Sequence, residues 1–326
     1  MLEGAGHRHS NGRATRTIGA VRIGLGLAAL GRPGYLTLGH GDDLGPNRSV
    51  RALERRAHTV LDVAHDAGVR HFDAARSYGR AEEFLASWLE RRGLGPGDVT
   101  IASKWGYTYT AGWQVQADPP EVKDLSVATF RRQLAETRSL LGPWLSLYQV
   151  HSATVSSGVL EDEELRSELA ALRAAGVAVG LTVTGTEQAA TIERALEVGG
   201  FDAVQATWNV HERSAGAALA QAKAAGLRVV VKEAVANGRL ADRGAPEPLV
   251  RVARRLGTTP DAVAIAAVLA EPWADVVLSG AATPAHLGAN LVALDVPWDD
   301  TVARELETLT EPAESYWATR AALPWN

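Results

Sequence analysis

The chain has 326 residues, with 33 basic and 38 acidic side chains and no cysteine. The slight acidic excess argues against a protein that grips a nucleic-acid backbone, and the lack of cysteine excludes disulfide scaffolds, thiolate metal sites and cysteine nucleophiles. No stretch of about 18 apolar residues is available to span a membrane, and the N-terminus lacks the apolar core of a secretory signal. We therefore expect a globular, cytoplasmic protein without nucleic-acid or membrane partners, and we assign it no metal site.

Residues 1–16 are rich in glycine, histidine, arginine and serine without periodicity, which predicts a disordered lead-in to a single domain over residues 17–326. Short apolar runs predict eight strands, at 20–26, 69–73, 99–104, 145–151, 177–183, 201–208, 227–233 and 275–280. The spacing of apolar residues between them predicts helices, which include 50–67, 126–141, 162–175 and 186–198.

The joints between predicted elements carry end signals. The segments HDAGVRHFD, RAAGVAVGL and KAAGLRVVV place Gly68, Gly176 and Gly226 where a helix ends in a left-handed residue and a strand follows. Thr259 and Thr283 each precede a proline, which predicts a helix capped by the threonine hydroxyl with the proline in its first turn.

Strands that alternate with helices predict a parallel sheet, either open or closed. An open, doubly wound sheet would carry a glycine-rich turn that begins a helix after the first strand. Here Ala29 stands where the third glycine after Gly24 and Gly26 would fall, and the following segment is rich in glycine and proline. Eight units without a dividing linker favour a closed (β/α)8 TIM barrel.

In such a barrel the catalytic groups lie at the carboxyl ends of the strands. Asp73 ends the second predicted strand, Lys104 the third and His151 the fourth, and Tyr78 follows Asp73 in its loop. Taken alone, Asp73 is typical of a helix cap, Lys104 of a solvent-facing lysine, His151 of a structural histidine and Tyr78 of a packed side chain. Together they predict one active site, because their chemistry is interdependent.

These four side chains suit the reduction of a carbonyl group. A tyrosine is a weak acid at neutral pH, and a neighbouring ammonium lowers its pKa. Asp73 would keep Lys104 charged in a water-poor pocket, and His151 would donate a hydrogen bond to a carbonyl oxygen. We therefore predict Tyr78 as general acid, Lys104 as its tuning cation, Asp73 as the anchor of Lys104 and His151 as the orienting donor.

Six segments, in order, resemble the aldo-keto reductase superfamily: GLGLAALG, HFDAARSYG, TIASKWG, LYQVHS, VQATWNVHER and LSGAATPAHLGANL. The resemblance extends over most of the chain, through all eight predicted strands. It implies a TIM barrel that uses NADPH or NADH to reduce aldehydes and ketones with the tetrad named above.

The resemblance also implies a nicotinamide site. Gln205 and Thr182 are expected to hold the carboxamide and Trp208 to stack on the ring, while Val183 replaces an asparagine that relatives use for the carboxamide. Two further residues are expected to line this site, Gly26 and Ser152.

The expected phosphate end lies on the eighth strand and the helix after it. Ser279, Gly280 and Thr283 would offer backbone N–H groups and a helix dipole to a phosphate. Asn290 matches relatives, His286 replaces a glutamine, and alanines at 281 and 282 stand where a cation usually meets the 2′-phosphate. We keep NADP(H) as the expected cofactor, which is the family default, and leave NAD(H) use open.

The seventh strand ends in Lys232 and Glu233, and Gly238 and Leu240 then match the family loop over the pyrophosphate. We interpret Lys232 and Glu233 as a mutual salt bridge, with the alternative that Lys232 contacts a cofactor phosphate.

Aromatic residues in the loop after the third strand and in the C-terminal tail predict the walls of a site for a small carbonyl or sugar-like substrate. The candidates are Trp105, Trp113 and Trp317, with Tyr107, Tyr109, Tyr316 and Trp325 nearby, and Arg76 as a contact for an anionic or polyhydroxy group. Two alternative functions stay open, a non-catalytic nicotinamide-nucleotide-binding subunit and a Schiff-base lyase with Lys104 or Lys232 as nucleophile. The sequence indicates no oligomeric state.

Overall fold

The computed structural model describes residues 21–326, so the predicted lead-in at 1–16 lies outside the described residues. Eight parallel strands close into a barrel, and helices follow the strands on its outer side. The predicted (β/α)8 TIM barrel is therefore confirmed. The barrel strands are β1 (Ile23–Gly26), β2 (His71–Asp73), β3 (Thr100–Trp105), β4 (Leu145–Ala153), β5 (Ala178–Val183), β6 (Ala203–Thr207), β7 (Arg228–Lys232) and β8 (Val276–Ser279).

The helices outside the barrel pack apolar stripes against the strands. They are α1 (His40–Leu44), α2 (Val50–Asp66), α3 (Ala81–Arg92), α4 (Val127–Leu141), α5 (Glu163–Ala174), α6 (Gln188–Val198), α7 (Gly216–Ala224), α8 (Glu247–Leu256), α9 (Pro260–Leu269), α10 (Pro284–Leu291), α11 (Asp300–Glu307) and α12 (Ala313–Ala321). In α2, for example, Leu53, Ala57, Val60 and Ala64 recur at helical spacing and are fully or almost fully buried.

The end signals read from the sequence hold with one exception. Gly68, Gly176 and Gly226 have φ values of 92°, 89° and 90°, as the left-handed helix ends require. The Thr283 hydroxyl accepts a hydrogen bond from the His286 N–H and caps α10. The predicted hydroxyl cap at Thr259 is wrong, because its side chain makes no capping bond; the proline alone marks the start of α9.

Two additions that the sequence did not predict lie at the carboxyl end of the barrel. In the loop after β3, Tyr107–Tyr109 pairs antiparallel with Glu121–Lys123 to form a hairpin. After α12 the chain returns to the loop after β1, where the Asn326 side chain accepts a hydrogen bond from Gly41 N–H at 2.9 Å. The hairpin contributes Tyr107 and Glu121, and α12 contributes Arg320, to the walls of the cavity described below.

Within residues 21–326, no helix combines the length and apolar character that crossing a lipid bilayer demands.

Candidate active site

The barrel brings the four predicted catalytic side chains together. Lys104, on β3, is almost fully buried, and its ammonium donates to a carboxylate oxygen of Asp73 at the end of β2 and to the Ala74 carbonyl at 2.9 Å. The same ammonium lies 4.9 Å from the centre of the Tyr78 ring. The His151 ring, on β4, meets the Tyr78 ring edge to face at 5.6 Å between centroids.

Asp73 is the hub of this arrangement. Its second carboxylate oxygen accepts hydrogen bonds from the side-chain amides of Gln205 at 3.0 Å and Gln149 at 3.3 Å. Because buried charges are stable only when they are paired and hydrogen-bonded, this carboxylate fixes the Lys104 ammonium beside Tyr78.

Burial shifts the pKa values of Tyr78 and His151. It raises the pKa of Tyr78, and the negative charge of Asp73 raises it further. It lowers the pKa of His151 well below 6.5, and the cations Lys104 and Lys232 add to that effect. His151 is therefore a neutral imidazole at neutral pH, and its Nδ1 atom is buried without a hydrogen-bond partner. Both side chains can then donate a hydrogen bond to a carbonyl oxygen.

A cavity of about 230 Å³ opens in front of these groups. Its walls carry cations and carboxylates that come from distant segments and pair with each other. Two such pairs lie within the walls, Arg32 with Glu121 at 3.0 Å and Arg320 of α12 with Glu233. Asp73 also lines the cavity, and it pairs with Lys104, which is not a wall residue.

Lys232 is the third cation in the walls of this cavity, and its side chain is hydrogen-bonded to a neutral group. Its ammonium donates to the Thr207 hydroxyl at 3.0 Å, and burial lowers its pKa to about 8, although Glu233 acts in the opposite direction. The predicted salt bridge between Lys232 and Glu233 is wrong. Glu233 leaves β7 with a left-handed φ of 57°, and its carboxylate meets Arg320 instead.

A second cavity, of about 280 Å³, adjoins the first and extends to α10. The two share four wall residues, Ala29, Thr37, Val235 and Gly280. A side-chain carbon at Gly280 would meet no heavy atom within 4 Å. Together the cavities form one elongated cleft from the tetrad to the N-terminal end of α10.

Comparison with known proteins agrees with this geometry. The model of the aldo/keto reductase family matches residues 22–311. The chain belongs to the aldo/keto reductase family. Among curated relatives, aldo-keto reductase str7 from Strobilurus tenacellus is 34% identical over 108 residues, which is 33% of this chain and 27% of that protein. The match thus spans about a quarter of that relative's length.

Solved structures of aldo-keto reductases share the fold. A putative aldo-keto reductase from Pseudomonas aeruginosa is 28% identical with a TM-score of 0.62, and the match covers 85% of this chain and 90% of that one. The holo form of aldo-keto reductase AKR11C1 from Bacillus halodurans is 20% identical with a TM-score of 0.67, covering 90% and 93%. Glycerol dehydrogenase AKR11B4 from Gluconobacter oxydans is 19% identical with a TM-score of 0.66, covering 89% and 91%. The last two likenesses show the fold alone.

Most predicted cofactor residues of this aldo/keto reductase line the cleft. Those facing the tetrad cavity are Gly26, Ser152, Gln205, Lys232, Ser279 and Gly280, and those facing the second cavity are Gly238, Gly280, His286 and Asn290. Thr283 caps α10 beside them. Across residues 21–326, no three histidine or carboxylate side chains are grouped to hold a metal ion.

Three predicted cofactor contacts lie away from the cleft walls. Trp208 is buried outside the barrel against Trp273, at 5.5 Å between ring centroids, so its predicted stacking role is wrong. Leu240 is fully buried in an apolar cluster and is a core residue. The Thr182 hydroxyl accepts a hydrogen bond from the Ser152 N–H at 2.7 Å, so it supports Ser152 rather than facing the cavity.

Most of the residues predicted to contact the substrate lie away from the cavity. Arg76 binds Glu82 and Glu136, whose carboxylates lie 2.5 and 2.8 Å from its guanidinium, and is therefore a structural cation. Trp105 is fully buried because its side chain points outward from β3 onto α4. The Trp113 indole N–H donates to the Arg48 carbonyl at 2.8 Å, outside the cavity. Trp317 lies beside the cavity, with its ring 5.8 Å from the Lys232 ammonium.

Six cavity residues were not predicted from the sequence. Arg32, Tyr35, Glu121 and Arg320 line the first cavity, beside the tetrad, and Asp43 and Arg243 line the second. Arg32 and Tyr35 follow β1, so the rule that placed the tetrad at the carboxyl ends of strands would have found them. Glu121 and Arg320 carry no local signal.

Proposed function

We propose that this chain is an NAD(P)H-dependent oxidoreductase that interconverts an aldehyde or ketone with its alcohol. The observation that carries the proposal is that Tyr78, His151 and Asp73 line one cavity, with the buried Lys104 ammonium bonded to Asp73. Family membership supports the same reaction class.

In the direction of reduction, the substrate carbonyl oxygen accepts hydrogen bonds from the Tyr78 hydroxyl and the neutral His151 ring. A bound nicotinamide cofactor supplies the hydride. As negative charge develops on the carbonyl oxygen, Tyr78 transfers its proton to that oxygen and becomes a phenolate. The Lys104 ammonium, held by Asp73, stabilises the phenolate until a proton is restored. Oxidation of the alcohol follows the same path in reverse.

The cleft residues fit an elongated dinucleotide. Gln205 and Ser152 would hold the nicotinamide end, and Ser279 and the Gly280 backbone would hold the pyrophosphate near the start of α10. The open space at Gly280 leaves room for a pyrophosphate close to the backbone. Lys232 is a half-buried cation in this cleft that would be available to a phosphate or another anionic group.

We further propose that NAD(H) is preferred over NADP(H). The second cavity, where the resemblance places the 2′-position of the adenosine ribose, is lined by the carboxylates of Asp43, Asp242 and Asp261. Its one arginine, Arg243, already pairs with Asp43 at 2.8 Å, and His286 approaches the same carboxylate at 3.7 Å. A 2′-phosphate would add negative charge there, whereas a 2′-hydroxyl can donate a hydrogen bond to a carboxylate.

Titration with NADH and NADPH, followed by quenching of tryptophan fluorescence, tests this preference. We expect NADH to bind at least about tenfold more tightly, which corresponds to about 1.4 kcal/mol. Asp43→Asn removes one negative charge and frees Arg243, so the preference should shrink. Asp42→Asn makes the same change at an exposed neighbour outside the cavity and should leave the ratio unchanged. Tighter binding of NADPH by the wild type would refute the proposal.

The general-acid role is tested by Tyr78→Phe, which removes only the proton donor. Turnover should fall by about 100-fold or more, with the dissociation constant of the nicotinamide nucleotide nearly unchanged. Tyr109→Phe is the matched control, because Tyr109 lies on the hairpin outside the cavity walls. Wild-type turnover in Tyr78→Phe would show that another group supplies the proton.

A Schiff-base lyase is the second candidate function, and the lowered pKa of Lys232 favours that lysine as the nucleophile. Lys104 is disfavoured because its side-chain nitrogen is held by hydrogen bonds to Asp73 and to the Ala74 carbonyl. Reduction with borohydride in the presence of a keto substrate, followed by mass spectrometry, would label Lys232 if this function were the true one. Absence of any nucleotide binding in the fluorescence titration would count against both the reductase and a nicotinamide-nucleotide-binding subunit.

A further inference from the structure

A buried arginine outside the predicted tetrad lies against the proposed general acid. Arg32, in the loop after β1, is only 2% exposed. Its guanidinium carbon lies 5.2 Å from the centre of the Tyr78 ring. One guanidinium nitrogen donates to the carbonyl of Ser77, the residue before Tyr78, at 3.1 Å. Arg32 therefore contacts both the ring and the backbone of the loop that carries Tyr78.

The position of this guanidinium is fixed from several sides. It is bonded to Glu121 of the hairpin at 3.0 Å and to the Ala28 carbonyl at 3.3 Å. The rings of Tyr35 and Trp325 lie 4.9 and 4.6 Å from its central carbon, which adds cation–π attraction. Four separate segments of the chain thus hold one positive charge beside Tyr78.

Charged and titratable groups face Tyr78 from every surrounding element. They are Asp73 on β2, Lys104 on β3, His151 on β4, Lys232 on β7, Arg32 and Tyr35 after β1, Tyr107 and Glu121 on the hairpin, Glu233 after β7, and Arg320 on α12. Lys104 is bonded to Asp73 and Glu233 to Arg320. Burial and Asp73 raise the pKa of Tyr78, and among the remaining neighbours Arg32 lowers it and Glu121 raises it.

We propose that Arg32 and Glu121 act as one positioning unit, in which Arg32 orients Tyr78 and Glu121 offsets the effect of the Arg32 charge on the pH range over which Tyr78 transfers its proton. The inference rests on the proposed function, because it requires Tyr78 to be the acid. Its physical basis is that the charges of Arg32 and Glu121 act on Tyr78 with opposite sign, so each offsets part of the other's effect.

The test is the pH dependence of turnover, measured for alcohol oxidation, where the rate rises as Tyr78 loses its proton. Arg32→Met leaves the Glu121 charge uncompensated, so the rising limb of the plot of turnover against pH should move to higher pH. Glu121→Gln leaves the Arg32 charge uncompensated, so the limb should move to lower pH. Each shift should be on the order of one pH unit, given a charge some 5 Å away in a partly buried site. The double variant should return to within a few tenths of a unit of the wild type.

Two further variants separate this role from a merely structural one. Arg32→Lys keeps the charge but replaces the planar fork that joins Glu121 and the Ser77 carbonyl. It should hold the limb near its wild-type position while turnover falls, and it keeps the test available if Arg32→Met fails to fold. Glu311→Gln is the matched control, because Glu311 is as exposed as Glu121 and pairs with Arg239 outside the tetrad cavity. Its limb should not move.

The proposal would be overturned if the rising limb of the plot of turnover against pH stays in place in the single variants, or if it moves in the same direction in both. That outcome is distinct from a failure of the proposed function. If Tyr78→Phe loses turnover while Arg32→Lys and Glu121→Gln behave as wild type, only the inference about the pair fails. If Tyr78→Phe retains turnover, the reaction mechanism itself fails.

Discussion

Replacing Arg320 with alanine would leave a buried carboxylate without its countercharge. In the intact protein, the Arg320 Nε atom lies 2.9 Å from both oxygens of Glu233. The Glu233 side chain is 9% exposed and that of Arg320 is 24% exposed. Burial alone would raise the pKa of Glu233, but Arg320 and Lys232 outweigh it and bring the pKa down to about 2. This ion pair fastens α12 to the mouth of the barrel.

Two estimates of the cost of Arg320→Ala agree. A folded-state pKa of about 2 against an ordinary value of 4.5 corresponds to about 3 kcal/mol of stability at neutral pH. Breaking one partner of a buried pair typically costs about 3–5 kcal/mol, and the partial exposure of Arg320 favours the lower end. We therefore expect a loss of about 3 kcal/mol in the free energy of unfolding.

Urea denaturation at several pH values measures this loss. Because the folded-state pKa of Glu233 is depressed, the pair stabilises the protein above about pH 4.5 and loses that effect as the pH falls toward 2. The difference between wild type and Arg320→Ala should shrink over the same window. Arg251→Ala, which breaks an exposed pair with Glu247, is the control and should cost less than about 0.5 kcal/mol. A loss in Arg320→Ala no larger than that of the control would refute the reasoning.

Three further predictions concern the catalytic loop, the barrel interior and a corrected contact. In Gly31→Ala the new carbon would lie 2.2 Å from the Tyr78 carbonyl oxygen; the loop must move, and kcat should fall by about tenfold or more, whereas Gly288→Ala, which meets nothing within 4 Å, should keep the wild-type kcat. Burial lowers the pKa of His71 from 6.5 to about 4. The unfolded chain therefore binds a proton at this histidine before the folded protein does, and the free energy of unfolding should fall by about 3 kcal/mol in all as the pH falls from 6.5 to 4. In His71→Leu the free energy of unfolding should depend less on pH over that window, and an unchanged dependence would contradict this. Arg76→Ala should lower the melting temperature, because it unpairs two carboxylates, but should leave the substrate KM unchanged; a large rise in KM would restore the substrate role first predicted for it.

The barrel and the tetrad could be predicted because their signals are local. Each strand is a short apolar run, and a glycine such as Gly176 marks the helix end before it. The end of each strand then fixes which residues face the cavity, so Asp73, Lys104 and His151 follow from three separate strand assignments. None of these steps depends on a contact between segments that are distant in sequence.

The ion pairs around the cavity could not be predicted in this way. Glu121 lies 89 residues from Arg32, and Glu233 lies 87 residues from Arg320. Nothing in the composition of the loop after β3 or of the C-terminal helix indicates which carboxylate each arginine meets. The salt bridge predicted between Lys232 and its neighbour failed for the same reason, because adjacency in sequence says little about side-chain direction at a strand end.

The error at Trp208 has a different origin, because the sequence did contain the correction. Side chains along a strand alternate between the two faces of a sheet. Gln205 points into the barrel, where it donates to Asp73, and Thr207 shares its face, where it contacts Lys232. Trp208 is one residue further and must point outward. The same count predicts the placement of Trp105, which follows the inward Lys104 and is buried on the outer side of β3. Once one inward residue of a strand is assigned by its chemistry, the parity of every neighbour on that strand follows. Thr207, rather than Trp208, is then the residue whose side chain contacts a cavity residue, Lys232.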